Sequence, residues 1–104
     1  MNGYQINFYT LQNRKVAGKP VADWLIEKAQ GLGIRGATVL HGDESFGSDH
    51  RIHSLHFFEQ TEQPIVIVMI LSEAEATQIF ALVKTSGAKL FYTKTPVEFG
   101  DIGE

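Results

Sequence analysis

The first third of the chain carries a strand pattern followed by a helix pattern. Residues 4–11 are rich in β-forming side chains, and Ile6 and Phe8 lie on one side of the alternation. After a polar, basic turn, apolar residues recur at about one helical turn, and Pro20 suits the first turn of a helix. Gly33 can supply a left-handed cap. The pattern predicts a strand over 4–11 and a helix over about 20–32.

The middle of the chain contains the longest polar stretch. Residues 36–41 form a short strand pattern, whereas residues 42–53 contain glycine, acidic residues, serine and histidine with hardly any apolar side chain. We therefore expect a long polar loop over about 42–53. Residues 54–59 are predicted to extend as a ribbon arm before polar residues and Pro64 interrupt the pattern.

A strongly apolar strand and a second helix follow. Residues 65–71 are apolar at both alternating sets of positions, which is typical of a central strand. Ser72 and Glu75 have the spacing of a capping box, so a helix should begin there. Gly87 is the expected end of that helix.

The last element predicted is a strand over residues 89–95. Pro96 is expected to limit it, because proline cannot donate to a strand ladder. Val97 and Phe99 are expected in a short tail strand.

The chain of 104 residues is short enough to form a single domain over 1–104. The order of its predicted elements is strand, helix, strand, loop, strand, helix and strand. Two β-α-β halves of this length predict a ferredoxin-like β-α-β-β-α-β sandwich of the α+β class. Its four-stranded antiparallel sheet would have two helices on one face.

The other face of that sheet predicts self-association. Two helices cover only one face, yet Val66, Val68 and Ile70 point to the opposite face. A second copy of the chain is the simplest cover, so we expect a homo-oligomer.

Composition excludes several classes of function. The chain is 43% hydrophobic with a net charge of -3, so it should fold, and no nucleic-acid partner is expected without a broad basic field. It has no cysteine, which excludes disulfides, thiolate nucleophiles and cysteine-based metal sites. The start of the chain lacks a secretory pattern, and the apolar run 65–71 is far shorter than the ~20 residues of a membrane span. These features predict a cytoplasmic protein.

Catalytic and dinucleotide signatures are weak. Residues 31–36 match G-x-G-x-x-G, but a helix precedes them and a strand follows, which reverses the order of a dinucleotide site. No G-x-S-x-G is present, and the adjacent Asp43 and Glu44 diverge on an extended backbone. We therefore do not expect an enzyme.

Histidines suggest a metal site as an alternative. His50, His53 and His56 lie in one stretch, and His41 precedes it. On an extended strand His53 points opposite to His50 and His56, so a site would need ligands from neighbouring subunits. The other interpretation is that these histidines are simply solvated, and both interpretations stay open.

The polar loop is the strongest candidate for binding. Compact domains seldom keep a long polar connection without using it. Gly42 and Gly47 permit close backbone approach to an anion, and His41, Arg51 and Lys89 are candidate phosphate partners. A flexible tip without a ligand is the alternative.

Several blocks together resemble a known family. They are Gly18-Lys19-Pro20, Gly36-Ala37-Thr38-Val39-Leu40 followed by a residue and Gly42, Phe46-Gly47, and Arg51-Ile52-His53. With a match from Ile6 to about Thr95, the chain resembles the DUF190 family of PII-like proteins.

The resemblance implies a trimeric signalling protein that binds small ligands in clefts between subunits. The loop after the second strand would be its effector arm. The ligand would be a small anion such as an adenine nucleotide, with no required cofactor, and a membrane transporter is a plausible regulated partner. The residues implied are His41, Gly42, Phe46 and Gly47 at the loop base, Arg51 and His53 on its far side, and Gly87 and Lys89 facing it from a neighbouring subunit.

The chain also departs from the family pattern. Arginine is usual where His41 and His56 stand, and glycine is usual where Ser45 stands. Because histidine is largely neutral near pH 7, these changes favour a monophosphate, a weaker anion or a pH-sensitive site. The metal alternative, with His50, His53 or His56, resembles the divalent-cation tolerance proteins that share the fold.

Overall fold

The computed structural model describes residues 1–42, 44–46, 52–54 and 63–103, with the backbone alone at 44–46 and 52–54. The elements within these residues, in chain order, are β1 (Asn2–Leu11), β2 (Lys15–Val16), β3 (Lys19–Pro20), α1 (Val21–Gly31), β4 (Ala37–His41), β5 (Glu44–Phe46), β6 (Ile52–Ser54), β7 (Pro64–Leu71), α2 (Glu73–Ser86) and β8 (Phe91–Glu98).

The main sheet has four antiparallel strands in the order β4-β7-β1-β8. The apolar strand β7 lies inside the sheet, as its two-sided pattern predicts. Both helices contribute to the core that packs on one face of this sheet. The predicted ferredoxin-like fold is confirmed.

The core lies between the helices and the strands β1 and β7. Leu25 of α1 and Ile79 of α2 are fully buried against a sheet face that carries Ile6, Phe8 and Ile67. Fully burying one large apolar side chain stabilises the fold by about 1.5–3 kcal/mol. This packing fixes both helices on one side, and no helix of the described residues lies on the other face of the sheet.

Helix α2 begins and ends as its sequence predicts. The Ser72 hydroxyl accepts from the Glu75 N–H at 3.2 Å, and the Ser72 N–H donates to Oε1 of Glu75 at 2.9 Å. Gly87 follows the helix with a φ of 81°, a conformation that costs little only for glycine.

Helix α1 lies within the predicted range, and Gly33 after it has the expected left-handed φ of 76°. Pro20 is the residue before the helix rather than its first residue. The N–H of Val21 donates to the carbonyl oxygen of Arg14 at 2.9 Å. The basic turn thus forms a small hairpin, β2–β3, that closes the start of α1.

The prediction for the last strand was wrong at both ends. β8 begins at Phe91 rather than at 89, and it continues through Pro96 to Glu98. β8 is an edge strand, where one side of the backbone has no ladder partner, so proline is tolerated there. Val97 belongs to β8 itself, and Phe99 continues the pairing with Met1.

The prediction of a loop without strands over 42–53 was also wrong. β5 and β6 pair as an antiparallel hairpin in which Ser45 lies opposite His53. Backbone hydrogen bonds hold such a ribbon together, and both of its sides can be polar, so the apolar alternation that signals a strand is missing. We call this hairpin the arm. Most of the predicted extension 54–59 lies outside the described residues.

Candidate functional site

The predicted ligand-binding residues of β4 and of the α2–β8 connection lie at the same end of the main sheet. His41 pairs with Ile65, and Phe91 pairs with Tyr9, whose own partner on β7 is Val66. The end of β4 and the start of β8 are therefore level with each other. We call this end of the sheet the loop end.

The two groups of residues nevertheless lie on opposite edges. His41 is on β4, Lys89 lies two residues before β8, and β7 and β1 separate these strands. Three strand spacings amount to about 14 Å, too far for both groups to contact one small anion from the same chain. Within one chain the two predicted groups are therefore separate, and we call each of them a predicted half-site.

The half-site on β4 consists of His41 and Gly42. The His41 side chain is exposed, and the N–H of Gly42 donates to the carbonyl oxygen of Pro64 at 2.9 Å. A Cβ at position 42 would lie 3.5 Å from Cβ of Pro64, which is an ordinary contact. The packing described here therefore does not itself require glycine at this position.

The other half-site consists of Gly87 and Lys89. Gly87 turns the chain after α2, and Lys89 is exposed two residues later. Because the turn is short, it places the lysine at the loop end. A lysine there can donate to an anion with all three of its N–H groups.

The arm leaves the sheet from the same end. Gly42 follows β4 directly, and β5 begins two residues later. The backbones of Phe46 and His53 belong to the paired strands of the arm. Gly47 and Arg51 lie outside the described residues, and their roles stay predictions.

The metal alternative is not tested by the structure. His50 and His56 lie outside the described residues, and only the backbone of His53 is described. Within the described part of the chain, no group of three or more histidine and acidic side chains is placed to hold a metal ion.

Further cationic side chains, beyond those proposed from sequence, lie at the loop end. Arg14 lies just before β2, Lys15 begins β2, and Lys84 is in the last turn of α2. Lys19 pairs with Glu27 of α1, and this hydrogen bond lowers the pKa of the glutamate. Only the fold shows that Lys84 joins the basic turn at this end, because it is about 65 residues away in sequence.

The face of the sheet away from the helices, here called the outer face, carries one apolar row near the loop end. Leu40, Val66, Tyr9 and Phe91 are aligned across the four strands. Leu40 is 51% exposed and Phe91 is 66% exposed, whereas Val66 is half-buried. The Tyr9 and Phe91 rings are in contact, with centroids 5.6 Å apart.

The next rows of the outer face are mixed, because Val68 and Ile70 of β7 are apolar whereas the residues beside them on β1 and β8 are polar. The Asn7 amide donates to the Tyr9 hydroxyl at 3.4 Å, and that hydroxyl also lies 3.4 Å from Oγ1 of Thr93. The hydrogen bond with Thr93, followed by that with Asn7, lowers the pKa of Tyr9. The predicted uncovered face is therefore apolar across all four strands at the loop end, and beyond that row it stays apolar on β7 but carries hydrogen-bonded polar side chains on β1 and β8.

A shallow depression of about 420 Å³ lies at the opposite end of the sheet from the loop end. Tyr4, Glu73 and Val97 are among the residues that line it. It contains no predicted site residue. Neither of the two helices in the described residues combines the length and apolar character needed to cross a bilayer.

Solved structures place the fold in a known class. A candidate PII-like signaling protein from Thermus thermophilus superposes with a TM-score of 0.68 at 16% identity, covering 93% of this chain and 88% of the other. CPII, a nitrogen regulatory PII-like protein from Thiomonas intermedia K12 bound to ADP, AMP and bicarbonate, gives a TM-score of 0.59 at 13% identity, covering 93% and 89%. The fold is that of the PII-like proteins.

Sequence comparison identifies the family. The profile of DUF190, described as an uncharacterized ACR family, matches residues 3–99. The chain belongs to the DUF190 family. A UPF0166 protein from Aquifex aeolicus (strain VF5) is 28% identical over 75 residues, which cover 72% of this chain and 71% of the relative.

Proposed function

We propose that this protein is a regulatory protein without catalytic activity that binds an adenine nucleotide between the subunits of a homotrimer. The observation that carries the proposal is the position of the two half-sites at one end of the sheet on opposite edges. A single chain cannot close them on one ligand, whereas a neighbouring copy can supply the missing half.

The chemistry of the half-sites suits an anion. His41 and Lys89 are exposed and can donate hydrogen bonds to phosphate oxygens. We expect Arg51 and the backbone at Gly42 and Gly47 to complete the contacts. Membership of DUF190 and a PII-like fold support a signalling role, and one fold neighbour is described as bound to ADP and AMP.

The arm is the proposed docking element. It begins directly after the His41–Gly42 half-site, so a bound ligand would contact its base. A ligand that favours one arrangement of the arm shifts its population and so changes how it docks. The proposed partner is a regulated protein, such as a membrane transporter, and the proposed location is the cytoplasm.

Calorimetric titration with ATP, ADP, AMP and cyclic AMP tests the proposal. We expect about one site per chain for at least one nucleotide. Binding should be tighter at about pH 6.5 than at about pH 8, because histidine side chains in general gain charge over that range. The absence of binding heat for all four nucleotides at both pH values would contradict the proposal.

The same titration, repeated with a variant that lacks the Lys89 amino group, tests whether Lys89 belongs to the nucleotide site. Lys89→Ala should weaken binding at least tenfold, since a hydrogen bond to a charged group contributes about 1.5–3 kcal/mol. Lys28→Ala is the matched control, because Lys28 is in the last turn of α1, at the other end of the molecule. Equal affinity of the two variants would exclude Lys89 from the site.

A further inference from the structure

The shallow depression at the end of the sheet farthest from the loop end is not used by the proposed function. It has a volume of about 420 Å³ and lies between the paired ends of β1 and β8 and the start of α2. The polar and cyclic side chains that line it belong to Asn2, Tyr4, Glu73, Pro96 and Glu98.

The floor of the depression carries two rings. Tyr4 pairs with Pro96 in the β1–β8 ladder, and Asn2 pairs with Glu98 in the same ladder. Paired residues share a face of the sheet, and so do residues two apart on one strand. Because Ile6 is buried under the helices, these four side chains lie on the helix side. The rings of Tyr4 and Pro96 are therefore neighbours at the point where the core ends.

The depression also collects the unpaired negative charge of this end of the sheet. Of the four described acidic residues there, Asp101 accepts from Arg35 at 2.8 Å and Glu75 accepts from a backbone N–H in the capping box. The carboxylates of Glu73 and Glu98 are exposed and have no hydrogen-bond or ion-pair partner among the described residues. A carboxylate only accepts hydrogen bonds, so a ligand of the depression must donate them.

A separate observation shows that the tyrosine beside these carboxylates suits a cation. The ammonium group of Lys94 lies 4.1 Å from the centroid of the Tyr4 ring. It also lies 5.7 Å from the centroid of the Phe80 ring. Cations are attracted to aromatic faces at such distances. Lys94 pairs with Ile6, one helix-side row nearer the loop end than Tyr4, and it does not line the depression.

We propose that the depression binds the guanidinium group of an arginine presented by a partner protein. A guanidinium is planar, so it can stack on the Tyr4 ring while its N–H groups donate to the carboxylates of Glu73 and Glu98. An ammonium lacks the planar face and the fork of donors. The proposal does not depend on nucleotide binding, because both predicted half-sites lie at the other end of the sheet.

The shape of the depression favours a protein over a free small molecule. Sites for small ligands bury about 70–90% of the ligand surface. A shallow depression does not enclose a free cation to that extent, whereas an arginine side chain is covered on its open side by the protein that carries it. Arginines anchored in this way are common energetic centres of protein interfaces.

Titration of isotope-labelled protein with N-acetylarginine amide, followed by NMR, tests the proposal with the side chain alone. We expect weak, saturable shifts of the backbone amide signals of Asn2, Tyr4, Glu73 and Glu98, and none at Lys89. N-acetylcitrulline amide is the matched probe, because it has nearly the same shape without the charge. It should give no saturable shifts at these four amides, and N-acetyllysine amide should bind more weakly than the arginine probe.

A double variant tests the two carboxylates. Glu73→Gln/Glu98→Gln removes both charges at exposed positions and keeps the size of the side chains, so the fold should be retained. The apparent affinity for N-acetylarginine amide should fall by about fivefold, because each exposed ion pair contributes little on its own. Asp23→Asn is the matched control, since Asp23 is an exposed carboxylate in the first turn of α1, outside the depression.

Four results would overturn the arginine site. They are the absence of saturable shifts at the four amides, equal shifts with the citrulline probe, unchanged affinity of the double variant, and binding of the lysine probe at least as tight as that of the arginine probe. The titration contains no nucleotide. A failure of this site is therefore distinguishable from a failure of nucleotide binding.

Discussion

Gly3 of β1 lies where the structure leaves no room for a side chain. A Cβ at this position would overlap the carbonyl oxygen of Leu71 and would lie 2.9 Å from Cε1 of Phe99. Backbone cannot give way as a flexible side chain can, so an added methyl group must displace the strands. The absence of a side chain at position 3 allows the residues after β8 to lie against the start of β1.

We predict that Gly3→Ala lowers the free energy of unfolding by about 1–3 kcal/mol, the usual cost of overpacking. Urea denaturation monitored by circular dichroism measures the change. Gly36→Ala is the control, because a Cβ there meets nothing within 4 Å. Equal stability of both variants would show that the strands at Gly3 move apart freely.

At the scale of the element, two reciprocal hydrogen bonds between Ser72 and Glu75 stabilise the start of α2. Ser72 and Glu75 satisfy each other's backbone N–H groups, which otherwise lack partners within the helix. We predict that Ser72→Ala lowers the free energy of unfolding by about 1 kcal/mol. Thermal and urea denaturation give the value.

Thr77→Ala is the matched control for Ser72→Ala, since it removes a hydroxyl from the same helix. The Thr77 hydroxyl is exposed and donates only to the carbonyl oxygen of Glu73, at 3.1 Å. The control should change stability by less than about 0.5 kcal/mol. A loss as large as that of Ser72→Ala would refute the assigned role of the capping pair.

Elements with a strong apolar period were predictable, and elements held by backbone pairing alone were not. The central strand β7 and both helices follow from spacing, because burying their apolar positions determines how they pack. The arm was mistaken for a loop, since a polar ribbon carries no apolar alternation. The predicted last strand ended at Pro96, whereas β8 continues to Glu98. Proline is tolerated there because β8 is an edge strand, and the sequence of β8 alone does not show that it lies at an edge.

The candidate site was only partly predictable for a similar reason. His41 and Lys89 were chosen as anion partners from the sequence, and the fold places both at the loop end. Their position on opposite edges depends on strand order. Arg14 and Lys15 lie beside the start of β2 and Lys84 lies in α2, so no local motif could have grouped the lysine of α2 with the basic turn.

At the scale of the whole molecule, we predict that each ligand site is shared by two chains. A site made of His41 from one copy and Lys89 from the next is destroyed by a defect in either chain. Two different defective chains can still form an intact site where their normal halves meet. This property distinguishes a shared site from a site within one chain.

The shared site is tested most directly by calorimetric titration with the best-binding nucleotide. The protein titrated consists of mixed rings, which are the proposed trimers assembled from two different variant chains. His41→Glu and Lys89→Glu each place a carboxylate beside the ligand's phosphate, and both positions are exposed, so the chains should fold. Each variant alone should lose binding. Rings formed by co-expression in equal amounts should regain about a quarter of the sites of the unaltered protein, because random assembly pairs the two normal halves at that frequency. No recovered sites in rings shown to contain both chains would contradict a ligand site shared between subunits.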